Sequence, residues 1–193
     1  MLASLRFPEN MCMHNCWRAC LKAMDIPYTC VGYADSKSQA RDFAKHNFGA
    51  KIRHMFHDVK CLSGDADGDS KCDMCGVCCC FGAERRPDLT TAGLPCQPFS
   101  QQRWHSGSGR NQQGPRVHKS WQTYMEFLHY LEVRRPRGFL CEEILKILSK
   151  DPVSKKRWLD LLLEGAAALG YGCAAAVLPT TPWSKVPRDR QPL

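Results

Sequence analysis

Chemistry is most concentrated in Pro95-Cys96-Gln97-Pro98-Phe99-Ser100. Pro95 directly before the cysteine and Pro98 two residues after it fix φ and stiffen the backbone, so the thiol is held in a set direction. A rigid, presented cysteine suits covalent catalysis. The thiol alone leaves a second reading open, since most cysteines are inert packing residues. A free thiol of pKa about 8.5 is a few per cent ionised at neutral pH, so a nucleophilic role needs surroundings that favour or generate the thiolate. A second concentration is Cys72-x-x-Cys75-x-x-Cys78 with Cys79 and Cys80. It offers sulfur for tetrahedral zinc, with His54 or His57 as extra ligands. The spacing also matches part of an iron–sulfur run that lacks its fourth ligand, or a reduced, unstructured insert. Asp35, Asp58 and the Glu142-Glu143 pair complete the set of reactive types. Taken singly, Asp35 is an N-cap, Asp58 a solvated acid at a strand end, and the two glutamates charge at a helix start.

Composition narrows the classes that these groups can serve. The 193 residues suit one domain, or one domain with a small insert. Hydrophobic residues at 44% and charged ones at 24% exclude global disorder, collagen and coiled coil. Lys and Arg number 27 against 19 acids, and 27 − 19 gives +8, a balance that favours a polyanionic partner. No apolar run reaches the ~18 residues of a membrane span, and no basic-then-apolar leader opens the chain, so a soluble, non-secreted protein is expected. Thirteen cysteines, an odd number, are then expected to be reduced, which puts metal ligation and thiol chemistry ahead of disulfides.

Strands and helices alternate along the chain. Trp17, Cys20, Leu21 and Met24 predict a helix over 15–24, in a region with no recognisable domain start. A strand is expected over 30–34, then a helix capped by Asp35-Ser36 with Ala40, Phe43, Ala44 and Phe48 as its apolar stripe. Residues 51–56 read as another strand, and 61–88 as a Cys/Asp/Gly-rich insert without periodicity. A strand over 89–93 leads into the Cys96 segment, and 101–114 is a polar loop. Val117, Trp121, Met125, Leu128 and Leu131 mark a helix, 138–142 a strand, Asp151-Pro152 the start of a helix closed by Gly170, and 173–178 a last strand. This alternation argues an α/β architecture with a mostly parallel sheet that binds ligands at its strands' carboxyl ends, where Asp35, Asp58, Cys96 and Glu142 all fall.

The hexapeptide around Cys96 resembles, in all six residues, the PCQPFS signature of the DNA cytosine-5 methyltransferase family. Gly32-Tyr33-Ala34-Asp35, with Ala40 and His46-Asn47-Phe48, is similar to the family's second strand and helix, and His57-Asp58-Val59 to its next strand end. Gly114-Pro115-Arg116 and Arg135 through Ile144 resemble the helix start and the Glu-Asn-Val strand. The resemblance implies a Rossmann-like S-adenosylmethionine-dependent methyltransferase fold: residues 1–60 as the cofactor half, 61–88 as an insert and 89–193 as the catalytic part. It implies Cys96 as nucleophile on cytosine C6, Glu142 as the partner of N3 and Arg190 as support for the flipped base. Asp35, Asp58 and Pro95 would adjoin S-adenosylmethionine. DNA is the implied partner, with RNA open, and the nucleus the implied compartment in a eukaryote, otherwise the cytoplasm.

Departures are equally specific. Phe7-Pro8-Glu9-Asn10 and Met11-Cys12-Met13-His14 stand where the family has a glycine-rich loop, and Glu143 replaces the Asn of Glu-Asn-Val. Val186-Pro187-Arg188-Asp189-Arg190 is an altered form of the Gln-x-Arg-x-Arg segment. No target-recognition region follows, so a truncated or diverged member, incomplete at both ends, is expected. Two alternatives stand beside it: an inactive relative that binds nucleic acid, and a zinc-binding interaction module in which Cys72, Cys75 and Cys78 are the point and Cys96 is incidental.

Overall fold

Cys30-Val31-Gly32-Tyr33-Ala34 carries almost no polar surface, and a strand of that kind must be covered on both faces. In the computed structural model, which describes residues 2–6, 21, 24–64, 71–76, 86–96, 99, 120–151 and 153–178, it is β2 (Cys30–Ala34), buried along its whole length. It lies in a five-stranded sheet with β1 (Leu2–Arg6), β3 (Met55–Phe56), β4 (Leu89–Gly93) and β5 (Gly138–Glu142). The order is β3-β2-β1-β4-β5 and every pairing is parallel. All five carboxyl ends therefore emerge on one edge. The chain's progress across the sheet reverses between β1 and β4, the place where open parallel sheets form a binding crevice.

The strands expected over 30–34, 89–93 and 138–142 coincide with β2, β4 and β5. The central strand β1 has no counterpart in the sequence reading, because five residues at a chain end show no usable period. Residues 51–56 form only the short β3, preceded by a 3₁₀ turn (Gly49–Lys51) and one bridge from Ile52 to Cys30. Residues 173–178 form no strand, and Val177 and Leu178 are exposed there. The helix predicted over 15–24 lies almost wholly outside the described residues.

Helix α1 (Ser38–Phe48) packs Ala40 and Ala44 inward, while Phe43 of the expected stripe is exposed. Residues at the start of the expected insert instead form a short helix, α2 (Lys60–Ser63), with Cys61, Leu62 and Ser63 buried. Helix α3 (Trp121–Arg134) buries Tyr124, Phe127, Tyr130 and Leu131, so its inner face is rotated from the predicted stripe, and Met125 points outward. Asp151 does not start a helix. Asp151 Oδ2 accepts hydrogen bonds from Ser154 N and Oγ, and Lys155 adopts φ +60°, which makes a turn. Helix α4 (Trp158–Ala168) begins later, where Arg157 N donates to Asp160 Oδ2 and the two side chains pair. The main core joins Val31, Phe56, Phe99, Tyr124, Phe127, Leu131 and Trp158; a second cluster gathers Cys30, Tyr33, Ala44, Ile52 and Met55.

Helices α3 and α4 meet where α4 has no side chain. A Cβ on Gly165 would stand 2.8 Å from Leu128 Cδ1, whereas one on Gly49 would meet only Lys45 Cγ at 3.8 Å. Gly165→Leu is expected to overpack this contact at a cost of about 1–3 kcal/mol. Gly49→Ala should leave stability within about 1 kcal/mol of the parent. Thermal denaturation of both variants checks the contrast.

Candidate active site

Parallel pairing sets the site's frame. Arg6 of β1 pairs with Gly93 of β4, and Gly93 pairs with Glu142 of β5. Leu94-Pro95-Cys96 leaves β4 at that level, so the Cys96 segment and the Glu142-Glu143 pair leave adjacent strands on the same edge. Across the switch, Asp35 follows β2 and Asp58 lies just past β3. Asp35, Asp58, Pro95, Cys96 and Glu142 are thus brought to one edge. Arg190 lies outside the described residues, as do Cys78, Gln97, Pro98 and the segment over 7–20.

Local contacts explain why Cys96 is held. The Phe99 N–H donates to the Cys96 carbonyl at 2.9 Å, closing a turn, and the buried Phe99 ring meets Tyr124 edge-on at 5.7 Å and Trp158 at 6.1 Å. Trp121 stacks on Tyr124 at 5.1 Å and meets Trp158 at 5.0 Å. Four aromatic rings thus form a platform beneath the turn. Cys96 itself is half-buried and Pro95 buried.

The Tyr124 hydroxyl connects this platform to both strand ends. Its oxygen lies 3.1 Å from the Pro95 carbonyl and also hydrogen-bonds Glu143 Oε1. A hydroxyl has one proton, so it cannot donate to two acceptors at once. Below about pH 7, where Glu143 carries its proton, both contacts are satisfied, Glu143 donating to Tyr124 and Tyr124 to Pro95; above it the hydroxyl donates to Glu143 Oε1. The geometry fits this proton position, because Glu143 Oε2 already accepts the Ile144 N–H at 2.9 Å, which leaves Oε1 as the site of the proton. Burial, reinforced by the charge of Glu142, pushes the Glu143 carboxyl up to about 7 despite the hydrogen bonds that favour its charge. Burial and the adjacent Glu143 raise the Tyr124 hydroxyl far above the ordinary phenol range, so it keeps its proton. The Cys141 thiol on β5 is likewise held neutral by burial and by Glu143.

The two aspartates have structural duties. Asp35 is buried; its Oδ1 accepts the Lys37 N–H at 2.9 Å and its Oδ2 the Tyr33 hydroxyl at 3.4 Å. Asp58 Oδ1 accepts the Lys60 N–H at 2.9 Å at the start of α2. His54, Cys72 and Cys75 bring their ligand atoms within 4.8 Å of one another, whereas His57 is exposed and outside this group.

The profile of the C-5 cytosine-specific DNA methylase family matches residues 18–191, most of the chain. The chain belongs to this family. It is also similar to the type II methyltransferase M.DdeI of Desulfomicrobium norvegicum, with 28% identity over 104 residues, covering 54% of this chain and 23% of the relative. The chain thus matches less than a quarter of that relative's length. Membership carries the fold of S-adenosylmethionine-dependent methyltransferases.

Within this methylase, Tyr124 is the site group that sequence reasoning missed, and Glu143 stood there only as one of a charged pair and as the residue in place of the family's Asn. The signal for Tyr124 was present but faint: Tyr124, Phe127 and Leu131 recur at helical spacing. No described helix is long and apolar enough to cross a membrane.

A carboxyl held up to about 7 in the folded chain against an ordinary 4.5 binds its proton more tightly when folded. Its stabilising contribution is complete below pH 4.5 and is lost as pH rises through about 7. Relative to Glu143→Gln, whose amide is a neutral donor at every pH, the parent should therefore lose about 3 kcal/mol across that window. Urea unfolding at a series of pH values reads the difference; parallel profiles would show that Glu143 is ionised throughout.

Proposed function

We propose that this chain is the catalytic part of a Rossmann-like methyltransferase that moves a methyl group from S-adenosylmethionine to C5 of cytosine in DNA. The observation that carries the reading is the emergence of Cys96 and Glu142 from neighbouring parallel strands at one edge, with Gly93 and Glu142 in register. Adjacent strands lie about 4.8 Å apart, a separation on the scale of one pyrimidine ring. The family match and the net charge of +8, suited to phosphates, support the same conclusion.

In this reading Cys96, held by its turn, adds its sulfur as the thiolate to C6 of a cytosine extruded from the duplex. Glu142 in its protonated form donates its proton to N3, so that the electron pair of the C5–C6 bond is available at C5, and takes the proton back when the adduct collapses. When bound, S-adenosylmethionine supplies an electrophilic methyl group on a sulfonium centre. After C5 takes the methyl group, loss of its proton to a base re-forms the double bond and expels the Cys96 sulfur as thiolate. Asp35 and Asp58 lie across the switch from Cys96, and their carboxylate oxygens suit ribose hydroxyls and an adenine amine, both donors. Pro95, fixed by Tyr124, would line the cofactor side, and Arg190 would support the extruded base.

DNA containing 5-fluorocytosine tests the sequence of bonds, because fluorine at C5 prevents the final proton loss. With S-adenosylmethionine present, the chain should form a denaturation-stable adduct; Cys96→Ser should form none, and Glu142→Gln should form it at least about 100-fold more slowly. A fluorocytosine transfer RNA run in parallel separates DNA from RNA as substrate. An adduct that persists in Cys96→Ser, or a parent chain that binds DNA without forming one, would overturn the assignment.

A further inference from the structure

The convergence of His54, Cys72 and Cys75 has no part in the proposed reaction. His54 immediately precedes β3, and the two cysteines come from 71–76, a segment seventeen or more residues away in sequence. Cys72 Sγ lies 3.9 Å from His54 Nδ1, and the three ligand atoms lie within 4.8 Å of one another. Around tetrahedral zinc, with Zn–S about 2.3 Å and Zn–N about 2.0 Å, two ligand atoms are separated by about 3.5–3.8 Å. One edge of the tetrahedron is therefore nearly formed, and the others need to contract by no more than about an ångström.

The surrounding backbone holds these ligands in place. The N–H groups of Met55 and Met74 both donate to Cys72 Sγ at 3.4 Å. The Gly76 N–H donates to the Cys72 carbonyl at 2.8 Å, with Gly76 at φ +71°, a left-handed turn that folds Cys75 back toward Cys72. N–H donors of this kind orient a metal-bound sulfur and spread its charge. The segment is anchored independently of any ion: Asp73 N donates to the Met55 carbonyl at 2.8 Å, and Arg41 of α1 pairs with Asp73 at 2.7 Å. Core packing accounts for the burial of Cys72, while the Gly76 turn and the stacking of His54 on Phe56 bring the other two ligand atoms toward its sulfur. A Cys72–Cys75 disulfide would use two of the three ligands and leave the approach of His54 Nδ1 to Cys72 Sγ unexplained.

We propose that His54, Cys72 and Cys75 are three ligands of a structural zinc site that clips 71–76 to the edge of β3, with one position of the tetrahedron left for a fourth ligand. The clip steadies the strand that leads into Asp58, and it stands whether or not the chain transfers methyl groups.

Metal analysis of the purified, desalted chain is expected to find about one zinc per molecule. Cys75→Ser carries the decision, because Cys75 is exposed and its loss leaves the core intact. That variant should retain circular dichroism close to the parent and lose at least about four-fifths of its zinc, and His54→Gln should weaken zinc at least about tenfold in competition with a chelator. Cobalt substitution should give tetrahedral ligand-field bands and a thiolate-to-metal charge-transfer band that, per bound cobalt, falls by about half in Cys75→Ser. Cys173→Ser, outside the cluster, should keep its zinc. A parent chain free of zinc after exposure to the ion, a Cys75→Ser variant with undiminished zinc, or a Cys72–Cys75 disulfide found by thiol alkylation and mass spectrometry would each overturn the proposal.

Discussion

A single phenolic proton on α3 ties together the two strand ends on which the site depends. Tyr124 reaches the carbonyl of Pro95 on one side and the carboxyl of Glu143 on the other, and one hydroxyl cannot donate to both. Below about pH 7 the resolution is a neutral acid: Glu143 carries its proton, donates it to Tyr124, and so lets Tyr124 hold the backbone next to Cys96. Burial makes this arrangement favourable, because the same removal from water that would penalise a carboxylate has little effect on a carboxylic acid. The aromatic platform of Phe99, Trp121, Tyr124 and Trp158 supplies that dry environment. It also fixes the turn that carries the thiol, so packing and electrostatics act on the same few atoms.

The sheet makes the constraint useful. Five parallel strands deliver their carboxyl ends to one edge, and the reversal between β1 and β4 opens a crevice there. On one side of the reversal stand Asp35 and Asp58, each already engaged by local backbone N–H groups. On the other stand Cys96 and the paired glutamates. Of the two neighbouring carboxyls at the end of β5, Glu143 is half-buried against Tyr124 and raised to about 7, and the charge of Glu142 adds to its reluctance to ionise. The far edge, β3, is only two residues long, and the cysteine-bearing segment 71–76 continues its hydrogen bonding through Asp73 and Met55. That segment covers a strand edge as well as gathering thiols.

Much of this was legible from local pattern. Strands β2, β4 and β5 stand where short apolar runs lie between turn-forming residues, and the acids at their ends follow directly. The Cys96 hexapeptide carries its own stiffness in two prolines. Other elements misled for physical reasons. Asp151-Pro152 has the composition of a helix start, but its aspartate bonds Ser154 and makes a turn instead. The apolar run over 173–178 looks like a strand, yet a strand exists only where a neighbour accepts its hydrogen bonds. The inner face of α3 was read one step out of phase because aromatic residues appear on several of its sides, and burial selects among them only once the sheet is in place.

By itself, then, the amino-acid order determined which short segments would be strands, which acids would close them, and that one cysteine would be rigidly presented. These are properties of neighbouring residues, set by steric limits on φ and by the alternation of apolar and polar side chains. The tertiary structure alone decided that Leu2–Arg6 would be the central strand. It also decided that Tyr124 would join Pro95 and Glu143, which lie 29 and 19 residues away along the chain, and that His54 would meet Cys72 across 18. Such contacts arise from the stacking order of whole elements, and no local spacing encodes which faces will be pressed together and dried.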